Sequence, residues 1–420
     1  MYKSFVDINN EQKQPLDYKI AQAVEAIKQG FAVSKSCVGL AFSGGKDSTV
    51  LWHLIRTYFP QKTVEIIFGN TGVEFPESLS FARKLGREWG GEHFHEAVPE
   101  KLTADGLKYQ AQKEVLEYLV KNNLLQTVLK PDGKLKSTEC LEKACPKEMY
   151  DSFISRNLIW RKGMQKSYFW CVDQYGFPIL GKALSGKLTA RRINIDCFLR
   201  FSQTLSADDD LLKYYELLKE VKISNHCCSI LKKEPSEKMQ AELGIDVIFK
   251  GLMASESQMR NLNFATRGYL FKSTRPHAKD FYHCQPLAIW TDDDIWDYIH
   301  RFSVPYSALY DMQYFTPNGE VCKIKRNACV GCATDIAFAD NHLAALRQTH
   351  PILWKGYMLK TGLGDEIMKL RAVKKGSALS RLDFFTCAIQ VSMFGGCAFD
   401  NLDLQQDEIT QSEYESEELD

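Results

Sequence analysis

Apolar positions in the first hundred residues alternate between two rhythms. Residues 17–30 carry Ile20, Ala23, Val24 and Ile27 at helical spacing, and Gly30 predicts the stop of that helix. The polar stretch before it, 1–16, reads as irregular. Residues 38–42 are a short apolar run with the length of a buried strand. Val50, Leu51, Leu54 and Ile55 then resume helical spacing as far as Tyr58, before Pro60. A second strand (64–68) precedes a turn-rich stretch and another helical stripe of Leu79, Phe81, Ala82, Leu85 and Trp89. Short strand–helix units in this order predict an α/β fold, a doubly wound parallel sheet whose ligands sit at the carboxyl ends of its strands.

Further along, 102–129 reads as helical, Pro131-Asp132-Gly133 as a turn and 148–154 as a helix. An acid-then-base helical pattern covers 207–222. A helix (236–243) leads into a strand (245–249), and Thr291 has the spacing to cap a helix reciprocally with Asp294, with Ile295, Trp296 and Ile299 on its buried side. Two helical stretches, 341–359 and 364–373, precede an acidic tail without apolar period, which predicts disorder over 406–420. The organisation expected is therefore the first half of a nucleotide-binding domain (1–104), a helical and basic insert (105–205), the second half (206–335), a helical C-terminal region (336–405) and the tail.

Composition narrows the function. The 420 residues are 45% hydrophobic and 25% charged with no net charge, so any nucleic-acid affinity has to come from a local patch. One such patch is Arg156, Arg161, Lys162, Lys166, Lys182, Lys187, Arg191 and Arg192, interleaved with aromatics and opposed in that stretch by Asp173 alone. Cations with stacking rings suit DNA or a nucleotide; a solvated basic face is the plainer alternative. With neither a signal pattern nor an apolar run approaching about 18 residues, a cytoplasmic protein without membrane contact is expected. Thirteen cysteines in such a chain point to metal ligands, reactive thiols or small buried residues rather than a disulfide framework.

The chemistry concentrates where the first strand ends, in Ser43-Gly44-Gly45-Lys46-Asp47-Ser48-Thr49. Two glycines let backbone N–H groups approach an anion, the hydroxyls and Lys46 add donors, and Asp47 can hold magnesium through oxygen. The spacing is not that of a Walker A loop. This run resembles the PP-loop of the ATP pyrophosphatases. Thr71-Gly72-Val73-Glu74-Phe75-Pro76-Glu77, one unit later, resembles a second signature found in the phosphoadenylylsulfate (PAPS) reductase branch of those enzymes. Gly251 at a strand end, followed by Glu256, Ser257 and Arg260, resembles a third, and the passage from Pro286 to Asp311 is similar to the same family.

Cys227-Cys228 and the later Cys329-Val-Gly-Cys332 make a four-thiolate set. It resembles the pattern by which adenylylsulfate reductases of this family hold a [4Fe–4S] cluster, with zinc as the alternative. The roles of Cys140, Cys145, Cys387 and Cys397 stay open.

The resemblance implies an adenine nucleotide α-hydrolase-like fold, with ATP and Mg2+ at Ser43–Thr49, Thr71, Gly72, Glu74, Gly251, Glu256, Ser257 and Arg260. Lys46 and Asp47 are the expected catalytic pair. The leading expectation is an ATP pyrophosphatase that makes AMP and pyrophosphate and activates a substrate for sulfur insertion. It resembles the sulfur-transfer component of Dnd/Ssp-type DNA phosphorothioation systems, with a cysteine desulfurase or other sulfur donor as partner. The alternatives are an adenylylsulfate or PAPS reductase, tRNA thiolation, and a nucleotide-binding regulator. The intact Gly-Gly-Lys-Asp run, and a C-terminal sequence without Glu-Cys-Gly, count against the reductase. The oligomeric state is left open.

Overall fold

The computed structural model describes residues 4–107, 112–131, 135–156, 158–179, 224–273, 280–316, 319–333 and 342–372. Ten strands lie among them: β1 (Cys37–Phe42), β2 (Glu65–Gly69), β3 (Phe94–Ala97), β4 (Gly106–Leu107), β5 (Ile159–Trp160), β6 (Ile245–Lys250), β7 (Leu270–Lys272), β8 (Tyr282–Cys284), β9 (Gln313–Phe315) and β10 (Val321–Lys323). The first helices are α1 (Phe5–Gln12), α2 (Leu16–Val33), α3 (Lys46–Tyr58) and α4 (Pro76–Leu85). The chain divides into two compact units.

The first unit is Met1–Asn70, Glu74–Val98 and Lys232–Asp311. Its sheet has the order β3-β2-β1-β6-β8-β7, parallel throughout except for the antiparallel edge strand β7. Leu40 in β1 is in register with Ile66 on one side and Phe249 on the other, and all three are buried. Successive residues of β2 serve opposite faces. Ile66 and Phe68 join the core made with α2 and α3, while Ile67 packs with Ala97, Ile245, Met239 and Leu243. Both faces are thus covered by helix, and the expected α/β class with a mainly parallel sheet is what the chain forms.

Two local expectations are corrected. Gly30 does not end α2, which continues to Val33; it is a buried helix position where a Cβ would lie 2.5 Å from the Phe249 ring. Its lack of a side chain lets α2 approach β6. The irregular stretch expected before α2 contains a helix, because Ser4 and Asp7 form a reciprocal capping box (Ser4 N–H to Asp7 Oδ2, 3.0 Å; Asp7 N–H to Ser4 Oγ, 3.1 Å) that starts α1 at Phe5. Its short apolar content anchors through the buried Ile8.

The second unit is Thr71–Val73, Pro99–Leu231 and Met312–Asp420. The continuous helix expected over 102–129 is instead β4, a helix Gln112–Lys121 and a short helix Leu125–Val128. Asn123 breaks it in left-handed conformation, with φ of 57°. The helix expected at 148–154 is present as Lys147–Ser155. Val115, Leu119, Val128, Leu141, Phe153 and Ile159 form the core of this part. Past β10, the expected 341–359 helix is divided into His342–Thr349, Pro351–Trp354 and a π-turn Lys355–Lys360, with Pro351 opening the second piece. Leu363–Ala372 follows. The 207–222 helix and the 406–420 tail lie outside the described residues. Among the described residues, no helix is long and apolar enough to cross a membrane.

Candidate functional site

β1 delivers the loop, and α3 begins at Lys46. Gly44 has φ of 67°, and a Cβ there would lie 3.0 Å from that of Ala82 and 3.1 Å from the Ser78 carbonyl, so α4 packs directly against the turn. The Ser78 hydroxyl is buried there without a hydrogen-bond partner among the described residues. At the other side a Cβ on Gly251 would sit 3.0 Å from the Asp47 backbone and 3.1 Å from the Ser48 nitrogen. The end of β6 therefore abuts the first turn of α3.

The hydroxyls hold the loop in shape. Ser48 Oγ donates to the Gly45 carbonyl (2.9 Å) and accepts from the Ser43 N–H (3.2 Å), and Thr49 Oγ1 donates to the same carbonyl (3.0 Å). Ser43 Oγ accepts from the Gly45 N–H at 3.3 Å.

Lys46 is buried with its ammonium 3.2 Å from Asp47 Oδ1 and 2.6 Å from Asp292 Oδ1. Its backbone N–H donates to Tyr310 Oη at 3.2 Å. Burial works against the ammonium, but Asp47, Tyr310 and Asp292 outweigh it and raise the Lys46 pKa. Burial likewise pushes the Asp47 carboxyl up, against the pull of Lys46. The Tyr310 phenol is pushed up to about 12 by burial and by the Asp47 charge.

The third signature divides its roles. Glu256 accepts from the Met253 N–H at 3.1 Å and pairs with Arg260, one turn along the helix Gln258–Arg267. Ser257 caps that helix by accepting from the Arg260 N–H at 3.3 Å. Arg260 also acts on the Asp47 charge. Lys46, Asp47, Glu74, Gly251, Glu256, Ser257 and Arg260 all belong to the first unit, whereas Thr71 and Gly72 belong to the second. There the Val73 carbonyl accepts from the Val330 N–H at 2.8 Å, which ties the second signature to the cysteine loop.

That loop turns through a Cys332 N–H to Cys329 carbonyl bond of 3.0 Å. Tyr168 Oη donates to the Gly331 carbonyl at 2.7 Å, and a Cβ on Gly331 would lie 2.6 Å from the Tyr168 and Tyr357 rings. Burial raises the Cys227 thiol, and Cys332, Cys171, Cys228 and Cys329 raise it further, in that order. Cys228, Cys329 and Cys332 therefore all lie within electrostatic range of Cys227, as does a further thiol, Cys171. Among the described residues, no three His, Cys, Asp or Glu side chains are arranged to hold a single metal ion.

The basic stretch is partly neutralised. Arg156 makes a bidentate pair with Glu114 (2.6 and 2.7 Å), and Lys166 pairs with Glu100 at 3.4 Å. Lys182, Lys187, Arg191 and Arg192 lie outside the described residues, as do Cys387 and Cys397.

Sequence reasoning missed Asp292, Tyr310 and Cys171. Asp292 had a signal: the cap needs only Asp294, which leaves neighbouring acids unexplained. Tyr310 lies within the family-similar passage 286–311 without a chemical signal of its own, and Cys171 stands in no cysteine motif.

The phosphoadenosine phosphosulfate reductase domain model matches residues 38–133 and 157–333, well over half the chain and including the loop and both cysteine pairs. The chain belongs to the phosphoadenosine phosphosulfate reductase family. Among curated relatives, the adenosine 5'-phosphosulfate reductase of Staphylococcus haemolyticus is 37% identical over 91 residues, 21% of this chain and 33% of that protein. That of Burkholderia cepacia is 29% identical over 116 residues, 28% of this chain and 42% of its own. That of Staphylococcus saprophyticus is 27% identical over 188 residues, 36% of this chain and 74% of its own. The chain spans less than half the length of the first curated relatives it matches. A PAPS reductase structure from Candida auris, a phosphate complex, aligns with 78% of this chain and 99% of its own at 13% identity, with a TM-score of 0.34. The relatives' names favour the reductase alternative over the ATP pyrophosphatase expectation, and none of them names phosphorothioation.

Proposed function

We propose that this chain carries out adenylyl-linked sulfur chemistry, reducing an adenosine phosphosulfate to sulfite and AMP. The observation that supports the reading most is the presence, within one family match, of both the anion-binding loop at 43–49 and the four thiols Cys227, Cys228, Cys329 and Cys332. The loop amides and Lys46 bind the phosphosulfate and take up the charge that develops on its phosphate. A cysteine thiolate of this chain other than those four attacks the sulfate sulfur, an S–S bond forms between them, and the S–O bond to AMP breaks. A dithiol reductant then releases sulfite and leaves as a disulfide. The four cysteines would hold a [4Fe–4S] cluster, which supplies a redox-capable centre when bound.

A specific observation favours a second reading, ATP pyrophosphatase activity serving sulfur insertion. Lys46 and Asp47 stand side by side at the loop, a cation for the phosphates and a carboxylate that can hold a divalent metal, the two kinds of group that metal-assisted cleavage of ATP to AMP and pyrophosphate uses. DNA phosphorothioation, with a desulfurase as sulfur source, belongs to this reading and rests on the sequence resemblance.

One experiment separates the two. Anaerobic protein is given adenosine 5'-phosphosulfate with a dithiol, and separately ATP, Mg2+ and DNA or tRNA, and the products are identified. Sulfite and AMP in the first arm are expected. Pyrophosphate and AMP in the second arm alone would replace the reductase with the pyrophosphatase, and no turnover in either would reduce the chain to a nucleotide-binding regulator.

A further inference from the structure

The loop's cation is already engaged. Lys46 Nζ lies 2.6 Å from Asp292 and 3.2 Å from Asp47, and the Lys46 N–H is taken by Tyr310. Arg260, the nearby guanidinium that acts on Asp47, pairs with Glu256. Among these groups, Lys46 and Arg260 face Asp47, Asp292 and Glu256, so the five together carry one negative charge in excess beside the loop. Asp292 differs from its partner in place and exposure. It stands at the first position of the helix Asp292–Phe302, outside the Thr291–Asp294 capping box, and its side chain is 53% exposed against 23% for Asp47. The cap therefore does not need it, and solvent and ligands reach it.

We propose that Asp292 is a specificity-determining residue of the loop: by holding Lys46, it admits a nucleotide accompanied by a divalent cation and disfavours the bare polyanion. The inference rests on the reading of 43–49 as a nucleotide site. A metal-free nucleotide that draws Lys46 away leaves the Asp292 carboxylate uncompensated beside its own phosphates. A divalent cation arriving with the nucleotide replaces the ammonium at the two carboxylates while Lys46 turns to the phosphate. One unit charge at this range changes affinity by roughly ten- to a hundredfold in a partly solvated site.

The test is equilibrium binding of ATP and of adenosine 5'-phosphosulfate to the full chain, each in Mg2+ and in EDTA. Wild type, Asp292→Asn, Asp293→Asn and Lys46→Ala are compared. Wild type is expected to bind at least tenfold more tightly with Mg2+. Asp292→Asn is expected to gain about tenfold in EDTA and so narrow that ratio, while Asp293→Asn follows wild type. Asp292→Ser repeats the test should the first variant not fold. EDTA affinities of wild type and folded Asp292→Asn within twofold of each other overturn the proposal. If Lys46→Ala still weakens binding in that case, the nucleotide site survives. Absence of binding of either nucleotide in every condition overturns the site reading as well.

Discussion

At the scale of single residues, the loop concentrates groups held at a cost. Burial raises the Asp47 carboxyl although Lys46 lies 3.2 Å away. A carboxyl whose folded pKa is raised penalises the fold above that pKa, and the penalty fades as pH falls through it. Asp47→Asn should therefore raise the melting temperature at neutral pH while removing turnover, and its advantage over wild type should shrink in acid. Thermal melts at neutral and acid pH check this, and an unchanged or lowered neutral melting temperature would contradict it. The contact between Lys46 and Asp292 spans most of the chain, so no local pattern exposes it. The Thr291–Asp294 cap, by contrast, was legible because both partners sit within one turn and obey a fixed spacing.

Elements were legible wherever one rhythm governed them. β2 reads as a strand because Ile66, Ile67 and Phe68 are all apolar, and the sheet buries both of their faces. The same logic failed at Gly30, where a helix terminator and a close-approach residue have the same identity. Gly30→Ala separates the two meanings. In a solvated stop it would be neutral or mildly stabilising, but here the new methyl meets the Phe249 ring at 2.5 Å. We expect a loss of about 1–3 kcal/mol from overpacking, read from urea midpoints, despite the gain in helix propensity. Lys19 was equally illegible: it sits on the buried side of α2, 2.5 Å from Asp294, a partner that only the tertiary structure supplies. The helix expected across 102–129 failed in two places: Gly106–Leu107 pairs as β4 with β5, a partner far along the chain, and the break after Lys121 depends on one left-handed asparagine rather than on glycine or proline.

At the scale of the whole molecule, the two units divide the chemistry. The first carries the parallel sheet with Lys46, Asp47 and Asp292; the second carries Cys227, Cys228, Cys329 and Cys332, with Val73 bonded to the loop of the last two. The cysteine spacing was visible in the sequence, but the contribution of Cys171 was not, because an isolated cysteine on an apolar helix resembles core. Anaerobically isolated protein should contain iron and sulfide near four per chain, the [4Fe–4S] stoichiometry. Cys329→Ser should lose most of that iron and the visible absorption with it. Stoichiometric zinc in a colourless protein would contradict the assignment. The central claim is that the 43–49 loop binds an adenylyl group for sulfur chemistry, and AMP is the product common to both forms of that chemistry. Its most direct test is the rate of AMP release by wild type and Lys46→Ala, matched for folding, with adenosine 5'-phosphosulfate and dithiol or with ATP and Mg2+. The account predicts AMP from wild type and a rate lower by roughly a hundredfold or more in the variant; equal rates from the two proteins would contradict it.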